Sequence, residues 1–115
     1  KYRDVGQPVI IPGDMSSGTY VLLGQSGAME QTFGSTCHGA GRKMSRKSAS
    51  HGNTAANIKK DLADMDIVLL SGSDEGLTEE APDAYKDIDT VIQVVCGAGI
   101  SSKVAKLSPI GVVKG

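Results

Sequence analysis

Glycine constrains this chain more than any other residue type. Fifteen of its 115 residues are glycine, against three tyrosines, one phenylalanine and no tryptophan. That balance argues against a bulky aromatic core and favours many turns and close backbone approaches. Where glycine and its turn-forming companions fall therefore sets the elements. Pro8 to Ile11 and Thr19 to Leu23 are short, rich in aliphatic or β-branched residues, and separated by Pro12-Gly13-Asp14 and Ser16-Ser17-Gly18. This reads as two strands around a polar loop.

From Gly34 to Gly41 no regular element is favoured, whereas Arg42 to Ser50 contains good helix formers and follows directly, so a loop is expected to feed a helix N-terminus. Asn53 or Thr54 can cap a second helix carrying Ile58 and Leu62, and Ile67 to Leu70 follows as a buried strand. Ile88, Val91, Ile92 and Val95 recur at helical spacing, with Gly97 or Gly99 available to end the helix. Pro109 to Val113 closes the chain as a short strand. The expected class is mixed α+β, with strands from both ends of the chain meeting near the loop before Arg42. No linker, low-complexity tract or charge block marks a boundary, so residues 1–115 read as a single unit.

Composition narrows the function. Twelve Lys and Arg against 13 Asp and Glu give a net charge of −1, which excludes a global pull toward nucleic acid or an anionic membrane. A polyanion site must be local, and Arg42, Lys43, Arg46 and Lys47 supply one candidate patch. Lys103, Lys106 and Lys114 crowd the end, while acids gather between Asp61 and Asp89. Two cysteines, Cys37 and Cys96, are too few for a disulfide framework, lack metal-ligand spacing, and read as small buried hydrophobes. The apolar runs Val9 to Ile11, Val21 to Leu23 and Ile67 to Leu70 are far short of a membrane span, and no secretory signal precedes them. A soluble cytoplasmic protein without membrane contact is expected. The chain starts at Lys1, without methionine, and enters a strand-like segment almost at once, so it reads as a piece of a longer polypeptide.

Chemistry concentrates in Gly34-Ser35-Thr36-Cys37-His38-Gly39-Ala40-Gly41-Arg42, with Met44-Ser45-Arg46 following. Small residues beside a reactive imidazole let a phosphate approach the backbone, amides at a helix N-terminus can meet its charge, and arginine offers a bidentate fork. A neutral imidazole can attack phosphorus, which then needs mainly positioning and cationic stabilisation. Rival motifs fail on spacing. Gly34 to Gly39 is followed by Ala40 where a P-loop needs lysine, and a dinucleotide fingerprint would need glycine at Met44 or Ser102. A cysteine-phosphatase loop would need one more residue than separates Cys37 from Arg42. His51, in Ser50-His51-Gly52-Asn53, reads as part of a polar surface turn.

The stretch Phe33 to Arg42 with Ser45-Arg46 resembles the signature of the RtcB RNA ligases. So do Glu80-Ala81-Pro82-Asp83-Ala84-Tyr85-Lys86-Asp87, the terminal Pro109 to Gly115, and Asp4-Val5-Gly6-Gln7-Pro8 through Ile11-Pro12-Gly13. The resemblance spans essentially the whole chain and implies the C-terminal, nucleotide-binding portion of a longer ligase. It implies that His38 is joined to GMP from GTP, that the guanylate passes to an RNA 3′-phosphate, and that a 5′-hydroxyl then displaces GMP. Opening of 2′,3′-cyclic phosphate ends would come first, using manganese. The substrates would be tRNA halves or broken RNA ends, in tRNA splicing or RNA repair, and an archease-like activator is an admissible partner.

Carried onto this sequence, the resemblance places Pro12, Gly13, Asp14 and Thr19 at the nucleotide and Ala40 and Gly41 at its phosphates or sugar. Tyr85 would lie on the base and Lys114 at the guanine, with Arg42 and Arg46 facing the phosphate of the nucleotide or of the RNA end. Taken from the residues alone, Tyr85 would merely anchor a helix start and Lys114 would be a solvated tail. The run Asp14 to Thr19 departs from the family's Gly-Ser-Met-Gly-Thr-like pattern and brings an added carboxylate. The family's metal ligands would all precede Lys1, so none is assigned in this chain, and the chain alone is expected to be inactive. The competing expectation is a non-catalytic nucleotide- or RNA-binding fragment that lacks the metal-bearing half.

Overall fold

The computed structural model describes residues 4–115. Strands β1 (Pro8–Pro12) and β2 (Thr19–Gly24) form an antiparallel hairpin in which Ile11 faces Tyr20. Its turn is closed by Gly13 N donating to Gly18 O at 2.8 Å. Gly18 has φ +90°, and a Cβ there would come within 2.3 Å of the Leu107 carbonyl oxygen, so both conformation and space require glycine. Helix α1 (Gly27–Thr32) follows, with Ala28 as its buried residue. It ends on Phe33, which takes a left-handed φ of 54°.

Helix α2 spans Arg46–Gly52, with the Ser45 hydroxyl accepting from the Ser48 amide. It therefore starts four residues later than the sequence suggests. The reason is tertiary: Arg42 forms an antiparallel bridge with Tyr85, Lys43 N donates to Ala84 O and Lys86 N to Gly41 O. This pairing holds residues 41–43 against residues 84–86, and Ser45 supplies the cap. His51 accordingly lies in the last turn of α2 and not in a turn, although it is exposed as expected.

Helix α3 (Ala55–Asp64) is capped by Thr54 and buries Ile58 and Leu62, as their spacing predicts. Strand β3 (Val68–Ser71) is not the buried strand expected. Ile67 is buried, but Val68 and Leu70 are 65% and 63% exposed, because β3 pairs with one neighbour and covers one face only. Helix α4 (Asp74–Glu79), capped by Ser73, leads into a 3-10 turn at Pro82–Ala84. Helix α5 (Ile88–Gly97) begins where Asp87 accepts the Asp89 and Thr90 amides, and it buries Ile88, Ile92 and Val95. Gly99, at φ +71°, turns the chain into β4 (Ser101–Leu107). Strand β5 (Gly111–Lys114) ends the chain.

Among the described residues five strands form two sheets, β1-β2-β4 and β3-β5. The first is antiparallel and packs Ile11, Tyr20 and Leu22 against Ile88, Ile92 and Val95 of α5. Cys37 and Cys96 lie against this cluster but are only half-buried, since each sits at its margin. The second sheet is parallel, with Lys114 opposite Ser71. A second cluster joins Met15, Ile58, Leu62, Ile67, Leu77 and Ala81. Met15 comes from the β1–β2 loop, and the connector after Leu107 carries the chain from one sheet to the other. The chain is drawn out, at 47 × 26 × 21 Å, and the two clusters meet at that loop and connector.

Candidate functional site

A hollow of about 410 Å³ opens at this junction, lined by Gly13, Asp14, Gly18, Thr19, Glu80, Tyr85, the Leu107–Pro109 connector and the β5 residues up to Lys114. Its volume falls within the range of small-molecule sites. Five of the residues singled out in sequence, Gly13, Asp14, Thr19, Tyr85 and Lys114, are thus assembled from three distant stretches of chain. A second hollow, of about 400 Å³ beside Ile58, Leu62 and Met65, contains none of them.

The loop floor is built by Asp14. Its carboxylate accepts from the Ser16 amide at 2.8 Å and hydroxyl at 2.7 Å, and from the Ser17 amide at 3.0 Å and hydroxyl at 2.7 Å. Burial pushes its pKa up, but these four bonds outweigh burial and hold it below the ordinary carboxylate value. The added carboxylate is therefore folded back onto its own loop.

The opposite wall is a charge cluster around Glu80. Tyr85 Oη donates to Glu80 Oε2. Arg42 Nη1 lies 3.3 Å and Arg46 Nε 3.4 Å from Oε1, and Lys114 Nζ lies 3.9 Å from Oε2. Burial would raise the Glu80 pKa, yet the Tyr85 bond and then Lys114, Arg42 and Arg46 bring it below its ordinary value. Tyr85 moves the other way, raised by burial and by its bond to Glu80. Lys114 is held in β5 beside this carboxylate rather than trailing in solvent. Arg42 is fully engaged: Nε donates to Met44 O at 3.1 Å, Nη2 to Glu79 O at 2.6 Å and Nη1 to Tyr85 Oη at 3.2 Å. Its guanidinium also sits over the Tyr85 ring, 5.0 Å from the centroid.

His38 is exposed, in a bend, and does not itself line the hollow. Its loop is pinned to the rim. The Ala40 amide donates to the Pro12 carbonyl at 3.0 Å, and Pro12 precedes Gly13 of the lining. Ala40 is buried in the first cluster, while Gly41, at φ +76°, has open space around it. The helix amides expected directly after this loop are displaced, because α2 begins only at Arg46. Glu80 opens the Glu80–Asp87 stretch singled out in sequence but is assigned no role there; its cations arrive from positions 42, 46 and 114, which no local pattern connects to it. Among the described residues no group of three or more His, Cys, Asp or Glu could hold a metal ion, and no helix is long and apolar enough to cross a membrane.

Fold and site define the class: an α+β chain in which the β1–β2 loop, Glu80, Tyr85 and the β4–β5 connector with β5 enclose a polar hollow, with a glycine-flanked histidine on the loop pinned to its rim. The tRNA-splicing ligase RtcB family matches residues 1–115. The chain is 53% identical over 114 residues to the tRNA-splicing ligase RtcB of Pyrococcus abyssi, covering 99% of this chain and 12% of that protein. It is 50% identical to that of Thermococcus kodakarensis, covering 99% and 24%. With that of Methanocaldococcus jannaschii it shares 51% identity, covering 100% and 12%. The chain belongs to the RtcB family, and it spans between 12% and 24% of the length of these relatives.

Proposed function

We propose that this chain is the guanine-nucleotide-holding portion of an RNA ligase of tRNA splicing or RNA repair, with His38 as nucleophile. The observation that carries the reading is the junction just described: an exposed imidazole on a loop pinned to the rim of a hollow lined by Gly13, Thr19, Tyr85 and Lys114. Family membership supports it.

In the proposed reaction an unprotonated His38 ring nitrogen attacks the α-phosphorus of GTP. A P–N bond forms, the bond to the bridging oxygen breaks, and pyrophosphate leaves. An oxygen of an RNA 3′-phosphate then displaces the imidazole from phosphorus, freeing His38 and activating the RNA end. The 5′-hydroxyl oxygen of the second RNA attacks the 3′-phosphorus, its proton passes to solvent or a base, GMP leaves, and a phosphodiester results. A 2′,3′-cyclic end must first be opened by water to the 3′-phosphate.

Within the hollow, Tyr85 offers a ring to the base, and Lys114, 3.9 Å from its carboxylate partner, retains donors for a base oxygen. The Gly13–Thr19 loop and Gly41 allow close approach of sugar and phosphate. Arg46, more exposed than Arg42, is the better placed of the two arginines to turn to an RNA phosphate. The described residues do not form a manganese site.

The test uses the full-length polypeptide, with manganese and GTP labelled at the α-phosphate. We expect a covalent protein adduct that is absent from His38→Ala. An undiminished adduct in that variant would remove His38 from the nucleophile role.

A further inference from the structure

Glu80 stands between two sets of partners. Its side chain is 20% exposed at the end of α4, where the chain bends into the 3-10 turn. Oε1 faces Arg42 and Arg46, at 3.3 and 3.4 Å, and neither arginine lines the hollow. Oε2 faces Tyr85 and Lys114, which do line it. The arginines therefore fix the carboxylate from behind while its other oxygen orients a phenol and an ammonium at the cavity wall. The Lys114 contact, at 3.9 Å, is longer than a hydrogen bond, so the ammonium is drawn toward the wall without its donors being used up.

We propose that Glu80 is a positioning residue for a purine nucleotide, holding the Tyr85 ring and the Lys114 ammonium in the geometry that receives the base, so that it sets nucleotide affinity rather than the rate of phosphorus chemistry. This rests on the nucleotide reading of the hollow. Neutralising the carboxylate removes the attraction to Lys114 and both arginines while an amide oxygen can still accept from Tyr85. The loss of charge-assisted contacts of this kind corresponds to about a tenfold weaker binding.

The experiment is Glu80→Gln in the full-length polypeptide. The GTP concentration giving half-maximal His38 adduct should rise about tenfold, with the maximal rate unchanged, and calorimetric GTP affinity should fall by the same factor. Tyr85→Phe, which keeps the contacts of both arginines to Glu80 and loses the phenol's bonds to Glu80 and to Arg42 Nη1, should move half-saturation in the same direction, and the double variant should be less than additive. The Tyr85→Phe single variant decides the matter if Glu80→Gln fails to fold. Unchanged half-saturation in both variants, or a lowered maximal rate at unchanged half-saturation, would overturn the proposal. The two readings fail separately. An adduct that survives His38→Ala refutes the nucleophile assignment, whereas the calorimetric comparison tests Glu80 whichever residue carries the guanylate.

Discussion

Replacing Arg42 by lysine separates two roles that the sequence alone leaves merged. The guanidinium makes four contacts in fixed directions, to Met44 O, Glu79 O, Glu80 and Tyr85 Oη, and a single ammonium can satisfy at most one or two of them. Hydrogen bonds to charged groups contribute about 1.5–3 kcal/mol each. Losing two would cost about 3–6 kcal/mol if nothing compensated. The side chain is 22% exposed, so water recovers part of this, and a net loss of about 2–3 kcal/mol is expected. The assay is thermal unfolding of Arg42→Lys in the full-length polypeptide, with hydrogen exchange followed across residues 79–86. Earlier melting and faster exchange there are expected, since Arg42 ties the end of α4 to the following turn. An unchanged melt combined with weakened GTP or RNA binding would refute the reasoning, because it would mean that the guanidinium serves a phosphate and not this cluster.

Gly18→Ala should be severe, because it combines a left-handed φ with a contact of 2.3 Å to the Leu107 carbonyl oxygen. A loss of about 2–4 kcal/mol is expected in urea unfolding, and a loss under about 0.5 kcal/mol would show that the loop lies differently against β4. Asp14 and Glu80 have folded-state pKa values below their ordinary values of 3.8 and 4.5. The stability they contribute is therefore complete above those ordinary values and is lost as pH falls through the depressed ones. The urea midpoint should drop below about pH 4.5 and Asp14→Asn should flatten the drop, whereas equal acid sensitivity in the two proteins would remove Asp14 from the account.

What could be read from sequence was what neighbouring residues determine. The Pro8 to Leu23 hairpin follows from two aliphatic runs around Pro-Gly-Asp, and α3 and α5 from spacing plus a cap at Thr54 and glycines after Val95. Two short helices escaped because α1 buries only Ala28 and α4 only Leu77 and Thr78, too little for a period to show. A signal for α4 did exist, in Ser73 followed by Asp74 and Glu75 at a helix start. Strand β4 was hidden by Lys103 and Lys106, exposed residues of a strand with one paired edge in its sheet. The start of α2 was misplaced because the hydrogen bonds that hold Gly41 and Lys43 run to Lys86 and Ala84, residues that no local pattern connects to them.

The same distinction explains the site. Motif resemblance identified Gly13, Thr19, Tyr85 and Lys114, and the fold brings them to one hollow through two sheets that share the connector after Leu107. The carboxylates are the harder case, since a negative charge beside the site proposed for a polyanion is unfavourable unless it is already engaged. Both are engaged, by different means. Asp14 is hydrogen-bonded locally, by serines two and three residues on, so its partners are visible in the sequence once the turn is recognised. Glu80 is neutralised by residues at 42, 46 and 114, and no window along the chain contains all three. Under the positioning role proposed for Glu80, an acid that would by itself repel an anionic ligand becomes, once these cations surround it, the group that keeps a lysine and a tyrosine turned toward that ligand.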